Sequence, residues 1–155
     1  MNKNELISII TNAKQSHKRW VENARSLVAG IPLDKSQIPV NSTDCNFGQW
    51  YYGKGQALIK MVSFKDIEEQ HDLLHQTYRE IFVLLFGEEK KDSSFFSRLF
   101  GSSQKSLDKN QKLAKDKVVI LVEQSKMVLK KLDELERMIY AMSEEQINSY
   151  INEIK

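Results

Sequence analysis

Cysteine, proline and glycine are scarce in this chain of 155 residues, which has one Cys, two Pro and six Gly. A single cysteine excludes an internal disulfide, so no disulfide scaffold supports the fold. The few prolines and glycines, with abundant Leu, Ile, Glu, Lys and Gln, favour an all-α chain. A chain of this length is expected to form one domain with a core of its own.

The sequence also lacks a long apolar run and a large charge of one sign. No stretch approaches the ~20 apolar residues that a membrane span needs, and the N-terminal segment is amphipathic, unlike a signal peptide. The formal net charge of +2, with acids and bases interspersed, argues against nucleic acid as the main partner. We therefore expect a soluble, cytoplasmic protein that binds neither nucleic acids nor membranes.

Apolar residues recur at steps of three and four along most of the chain, which predicts amphipathic helices. They are expected over about residues 3–28, from Cys45 to Tyr52, and over about 65–86, 112–142 and the C-terminal residues 143–155. In the short second helix, Cys45, Gly48 and Tyr52 are expected on one face, with Gly48 admitting a close neighbour. The pattern predicts an antiparallel four-helix bundle over residues 1–142, followed by an extra helix over residues 143–155.

Two segments allow alternative interpretations. The long linker 88–110 carries one apolar turn, which is either a cap over the end of the bundle or an exposed element that docks a partner. The docking candidates are Phe95, Phe96, Leu99 and Phe100. The last helix, which Ser143 and Gln146 begin in capping-box form, either packs on the bundle or pairs with a second subunit.

All the histidines and the only cysteine, namely His17, Cys45, His71 and His75, lie in the first half of the chain. Each histidine falls on the predicted inner stripe of its helix, and His71 and His75 lie one turn apart on the same face. A single histidine in such a stripe is usually a core residue with a satisfied hydrogen bond. Four buried ligand groups, however, are all satisfied by one Zn²⁺. The pattern alone leaves both interpretations open.

Three blocks in this order closely resemble the chemoreceptor zinc-binding (CZB) domain family. They are His17-Lys-Arg-Trp20, Cys45-Asn-Phe-Gly48-Gln-Trp50-Tyr51-Tyr52 and His71-Asp-Leu-Leu-His75, and the similarity extends over about residues 10–140.

The resemblance implies a four-helix bundle that holds one zinc ion per chain through His17, Cys45, His71 and His75. It also implies a sensory role, for zinc or for hypochlorous acid-type oxidants that attack the zinc thiolate, and a homodimer. The partners implied are bacterial chemoreceptors or diguanylate cyclases. Unlike typical members, this sequence shows no attached signalling or catalytic domain, so we expect a stand-alone member that acts through a separate partner.

A site of three imidazoles and one thiolate fills all four tetrahedral positions and leaves none for an activated water, so we do not expect an enzyme. Trp20, Trp50, Glu68 and Asp72 are candidates to lie around the ligands, the two acids because each lies one turn before a histidine or beside one. Trp20 and Trp50 are more simply explained as core packing.

Cys45 is the ligand that oxidation can remove, so it is the predicted redox switch. The short second helix, between a proline-containing connector and a glycine turn, is the expected moving part. The alternative is a structural module for interaction or dimerisation, in which zinc only stabilises the helices.

Overall fold

The computed structural model describes residues 1–34, 38–87 and 104–152, without the side chains of residues 104–106. These residues form five α-helices and a 3₁₀ turn, and no strand occurs among them. The helices are α1 (Lys3–Val28), α2 (Asn46–Tyr52), α3 (Val62–Phe86), α4 (Gln104–Ala141) and α5 (Glu144–Asn152), and the 3₁₀ turn Lys54–Leu58 follows α2. The prediction of an all-α chain is confirmed, and none of the described helices is long and apolar enough to cross a membrane.

Helix α1 has the predicted bounds because the sequence carries a strong start signal at its first turn and a strong stop signal after its last turn. At its start, the Asn2 side chain accepts a hydrogen bond from the Glu5 amide while the Glu5 carboxylate accepts one from the Asn2 amide. This reciprocal pair satisfies two amides that the helix itself leaves unbonded. After its end, Gly30 adopts a φ of 85°, a left-handed conformation that glycine adopts without strain.

The three long helices pack side by side, and hydrogen bonds near their ends define their directions. The Lys3 Nζ donates to the Met142 carbonyl at 2.7 Å, and the Gln111 side-chain Nε2 donates to the Val28 carbonyl at 2.5 Å, so α1 and α4 run in opposite directions. Lys131 pairs with Asp66, and Lys117 pairs with a glutamate further along α3, so α3 and α4 are also antiparallel. Helices α1 and α3 therefore run in the same direction, and each packs against α4.

The core lies between these three helices. The apolar stripe of α4 is buried along its middle, where its fully buried members are Leu121, Val128, Leu132, Leu135 and Ile139, while Val118 and Met142 near its ends are half-buried. Leu6 and Ile10 of α1 and Ile67 and Leu74 of α3 face the same core. Burial of each of these side chains stabilises the fold by about 1.5–3 kcal/mol before the entropic cost of ordering the chain.

Two predicted boundaries differ from the structure. Helix α4 begins at Gln104, so the end of the predicted linker 88–110 is helical, and α3 begins at Val62 rather than near residue 65. The proposed docking residues Phe95, Phe96, Leu99 and Phe100 lie outside the described residues.

The predicted face of the short second helix is wrong at one position. Tyr51 is buried, whereas Tyr52 is 39% exposed. The reason is that Tyr52 is the last residue of α2, where the chain turns at Gly53, and its hydroxyl bonds to the exposed Asp72 of α3. Cys45 is the N-cap of α2 and has an extended backbone, with φ −75° and ψ 151°.

Helix α5 starts at the predicted capping box and lies against the end of the bundle. The Ser143 hydroxyl accepts from the Gln146 amide at 3.2 Å, and the Gln146 side chain accepts from the Ser143 amide at 2.8 Å. Ile147 is 2% exposed, and Glu144 accepts a hydrogen bond from the Lys3 amide at the start of α1. Pairing of this helix with a second subunit stays a prediction.

Candidate metal centre

Three elements bring the four rare ligand residues together. His17 comes from α1, Cys45 from the N-cap of α2, and His71 and His75 from successive turns of α3. One ligand atom of each residue lies within 4.8 Å of the others, and all four residues are buried. The parallel course of α1 and α3 places His17 beside His71, with their ring centroids 5.1 Å apart.

His17 is held by its own helix. Its Nδ1 lies 2.8 Å from the Ala13 carbonyl oxygen, which can only accept, so Nδ1 carries the proton. Its Nε2 therefore has a free lone pair, and this atom is buried without a hydrogen-bond partner. A buried unpaired nitrogen costs about 1–3 kcal/mol, which a bound metal ion would remove.

His75 is oriented in the same way by the connector that precedes α2. Its Nδ1 lies 3.2 Å from the Val40 carbonyl oxygen, and its buried Nε2 again has no partner. The indole of Trp20 packs on the His75 ring at a centroid distance of 4.9 Å and donates its Nε1 proton to the Pro39 carbonyl at 3.2 Å. The adjacent carbonyls of Pro39 and Val40 in the connector thus orient the Trp20 and His75 rings.

The Cys45 sulfur lies where the chain enters α2. It accepts a hydrogen bond from the Gly48 amide at 3.2 Å, lies 3.4 Å from the Nε2 of His71, and is 3.3 Å from the Ser42 carbonyl oxygen. Gly48 is needed at this position, because a Cβ there would lie 1.7 Å from the Ser42 oxygen. The expectation that Gly48 admits a close neighbour is thereby confirmed.

Burial controls the protonation of all four groups. It lowers the pKa of His17, of His71 to about 2 and of His75 to about 4, and mutual repulsion lowers the pKa of His71 further. Burial raises the pKa of the Cys45 thiol, and the Gly48 amide opposes this by donating to the sulfur. At neutral pH and without metal, the imidazoles are therefore neutral and Cys45 is a thiol.

The arrangement fits one zinc ion. In a tetrahedral site, ligand atoms at Zn–N and Zn–S bonding distances are separated by roughly 3.3–3.6 Å. The 3.4 Å between the His71 nitrogen and the Cys45 sulfur has this length, and the remaining atoms lie within 4.8 Å. The neutral imidazoles and the unpaired Nε2 atoms of His17 and His75 present the lone pairs that zinc requires. The chain therefore has a His3Cys group that could bind one zinc.

The residues predicted around the site lie at different distances from it. Trp20 touches His75, whereas Trp50 packs on Phe64 and makes no ring contact with the three histidines within the described residues. Glu68 is exposed, and Asp72 accepts a hydrogen bond from the Tyr52 hydroxyl at 3.3 Å.

Phe47 is a neighbour of the site that sequence reasoning missed. Its ring lies edge-on to His17 at 5.7 Å and to His71 at 5.1 Å, and it is 4% exposed. Its position two residues after Cys45 was the sequence signal that could have placed it beside the site. The carbonyls of Ala13 and Val40 were also missed, since backbone acceptors leave no pattern in side-chain types.

Comparison with known proteins agrees with the chemistry of this site. Residues 17–82, less than half of the chain, match the model of the chemoreceptor zinc-binding domain family. The matched segment contains all four residues of the cluster, and the resemblance read from the sequence is confirmed. No curated protein and no solved structure matches the chain.

Proposed function

We propose that this chain, whose residues 17–82 match the chemoreceptor zinc-binding domain, is a sensory or regulatory protein that responds to zinc or to oxidation of a zinc thiolate. His17, Cys45, His71 and His75 are the proposed ligands of one zinc ion per chain. The observation that carries the proposal is the convergence of four ligand atoms within 4.8 Å in a buried site, with two imidazole nitrogens unpartnered.

Cys45 is the proposed point at which an oxidant acts. Bound zinc supplies one effect, because it holds the sulfur as a thiolate, the nucleophilic form. With hypochlorous acid, the sulfur attacks chlorine, an S–Cl bond forms, the O–Cl bond breaks and hydroxide leaves. Water then displaces chloride and releases a proton, which gives a sulfenic acid. Sulfur loses two electrons, chlorine gains them, and the oxidised sulfur is a poorer ligand.

The connector and α2 are the proposed moving part. Val40 accepts from His75, Pro39 accepts from Trp20, and the Ser42 carbonyl lies against Cys45 and Gly48. A change at the sulfur therefore acts directly on the backbone between residues 39 and 48. We propose that this change alters a surface read by a partner, such as the chemotaxis or cyclic-di-GMP machinery, and that the chain acts as a homodimer.

We also propose that residues 1–142 form an antiparallel four-helix bundle in which α2 and its connector take the second position. Support comes from the opposite directions of α4 and its two neighbours. Residues 143–155 would then form a C-terminal element for packing or dimer contact. The proposed location is the cytoplasm, where a metal-binding thiol is kept reduced.

Metal analysis of the purified chain tests the proposal. Wild type should contain about one zinc per chain, and Cys45→Ala should bind zinc at least about 100-fold more weakly, because loss of a direct ligand costs more than the roughly 10–100-fold lost with an outer-shell partner. Thr43→Ala, a change at an exposed neighbour, is the matched control and should bind like wild type. Equal zinc affinity and equal oxidant response in Cys45→Ala and wild type would refute the proposal.

A structural role for the zinc is the second candidate, and it is favoured by the position of the ligands on three separate elements. Chelator titration followed by circular dichroism distinguishes the two. A structural zinc should unfold the helices on removal, whereas a sensor should keep its helicity and change its dimerisation or partner binding.

The proposal assigns no catalytic role to the site. Three imidazoles and a thiolate occupy all four positions of a tetrahedral ion, so no position remains for an activated water. Binding of exogenous imidazole to the loaded metal would contradict this assignment.

A further inference from the structure

A cleft leads from the surface to the Cys45 sulfur. It lies between α1 and the start of α2, has a volume of about 250 Å³, and Cys45, His17 and His75 are among its lining residues. Its volume corresponds to roughly eight water molecules, so a small molecule fits inside it. The unpartnered Nε2 atoms of His17 and His75 belong to residues of this wall.

The polar part of the cleft carries charge of one sign. Ser16, Arg19, Asn23 and Asn46 line it, and no carboxylate is among its lining residues. Within the part of the chain that the structure describes, Arg19 makes no ion pair, so its charge is not neutralised locally. Glu22, the acid nearest to Arg19 in the sequence, pairs with Arg25 instead. Asp44, beside Cys45, accepts hydrogen bonds from Asn41 and Thr43, and neither acid lines the cleft.

We propose that this cleft is the entrance through which small reagents reach Cys45, and that Arg19 makes it selective for anions over cations. The inference rests on the proposed function in one respect, because it takes Cys45 as the residue on which the signal acts. A positive charge at the mouth raises the local concentration of anions and lowers that of cations. The class enriched is a small oxyanion oxidant, such as the hypochlorite anion, whereas neutral hypochlorous acid enters without being enriched by Arg19.

A pair of methanethiosulfonate reagents of opposite charge tests the selectivity. Both attach to a cysteine by the same reaction, in which the thiolate attacks the sulfenyl sulfur, a disulfide forms and methanesulfinate leaves. One carries a sulfonatoethyl group and the other a trimethylammonioethyl group. Because the chain has one cysteine, mass spectrometry of the purified full chain gives the rate at Cys45 directly.

Arg19→Gln should lower the ratio of anionic to cationic reaction rates by about sixfold. A unit charge about 8 Å away in water changes each rate by about 2.4-fold, in opposite directions for the two reagents. Lys18→Gln removes the same charge from the neighbouring exposed residue outside the cleft and should change the ratio less. Raising the salt concentration should reduce the wild-type ratio as well.

A second variant tests the route itself. Asn23→Trp places a large side chain in the cleft and should slow both reagents, while Asn12→Trp, the same change at an exposed position of α1, should slow neither. Equal ratios in Arg19→Gln and Lys18→Gln, or equal rates in the two tryptophan variants, would overturn the inference.

The inference and the proposed function fail differently. If Arg19→Gln changes the ratio as expected but oxidants release no zinc from wild type, the cleft is supported as the entrance and the proposed sensory function is wrong. If oxidants release zinc but neither Arg19→Gln nor Asn23→Trp changes the reaction rates, the proposed sensory function is supported and the cleft is not the entrance.

Discussion

Replacement of Gly48 by alanine should remove the thiolate from the metal site without touching a ligand. The added Cβ would lie 1.7 Å from the Ser42 carbonyl oxygen, a backbone atom that cannot rotate away. Carbon and oxygen do not approach within about 3 Å, so α2 and residue 42 must separate by roughly 1.3 Å. Zinc–ligand distances tolerate deviations of only about 0.2 Å, so a shift of this size takes the sulfur out of bonding range.

The shift also disrupts the contacts that hold the sulfur in place. The Gly48 amide donates to Cys45 at 3.2 Å, and the Ser42 carbonyl lies 3.3 Å from the same sulfur, so both contacts depend on the spacing that the new methyl group would widen. We expect zinc affinity to fall by at least about 100-fold, as for Cys45→Ala, because the change removes a direct ligand rather than one of its outer-shell partners. The fold should lose about 1–3 kcal/mol from overpacking.

Cobalt(II) substitution measures this effect, since a thiolate ligand to cobalt gives a charge-transfer absorption band that nitrogen ligands do not. The Gly48→Ala variant should lose the band while a competition assay shows the weaker zinc affinity. Gln49→Ala is the matched control, because Gln49 is exposed and its side chain bonds only to the Asp44 carbonyl among the hydrogen bonds described. A Gly48→Ala protein with the wild-type band and affinity would refute the reasoning.

Two further predictions concern His75 and Trp20. Burial holds the pKa of His75 at about 4 in the folded chain, below its usual 6.5, so the unfolded chain binds the proton first as pH falls. The metal-free protein should therefore lose about 2 kcal/mol of stability from His75 alone between pH 7 and pH 5. Urea unfolding at both pH values measures this, and the His75→Gln variant should lose less stability between them than wild type by about that amount. Equal losses of stability in the variant and wild type would contradict the assignment. Trp20→Phe keeps an aromatic ring on His75 but removes the bond to the Pro39 carbonyl, so zinc affinity should fall by about tenfold. Zinc competition against wild type tests this, and an unchanged affinity would show that the indole bond does not position His75.

Much of the helical architecture could be predicted from local patterns. The bounds of α1 follow from an apolar repeat with a capping pair at one end and glycine at the other, and both signals act within a few residues. The beginning of α4 could not be placed from its sequence, because its first turns are polar and helix formation there depends on continuation from the apolar part. Tyr52 was expected on the inner face because it lies one turn after Gly48, but it is the last residue of α2 and is exposed.

The sequence by itself determined which side chains could bind a metal, because a chain with three histidines and one cysteine offers few alternatives, and helical phase put the histidines on inner faces. Tertiary structure decided which nitrogen of two of the rings is free. It also brought the sulfur to 3.4 Å from His71 through a glycine packed on the Ser42 carbonyl, and left a cleft beside it. These features depend on backbone carbonyls and on the spacing of helices that are distant in sequence. Neither the positions of backbone carbonyls nor the spacing of distant helices can be read from a pattern of side-chain types.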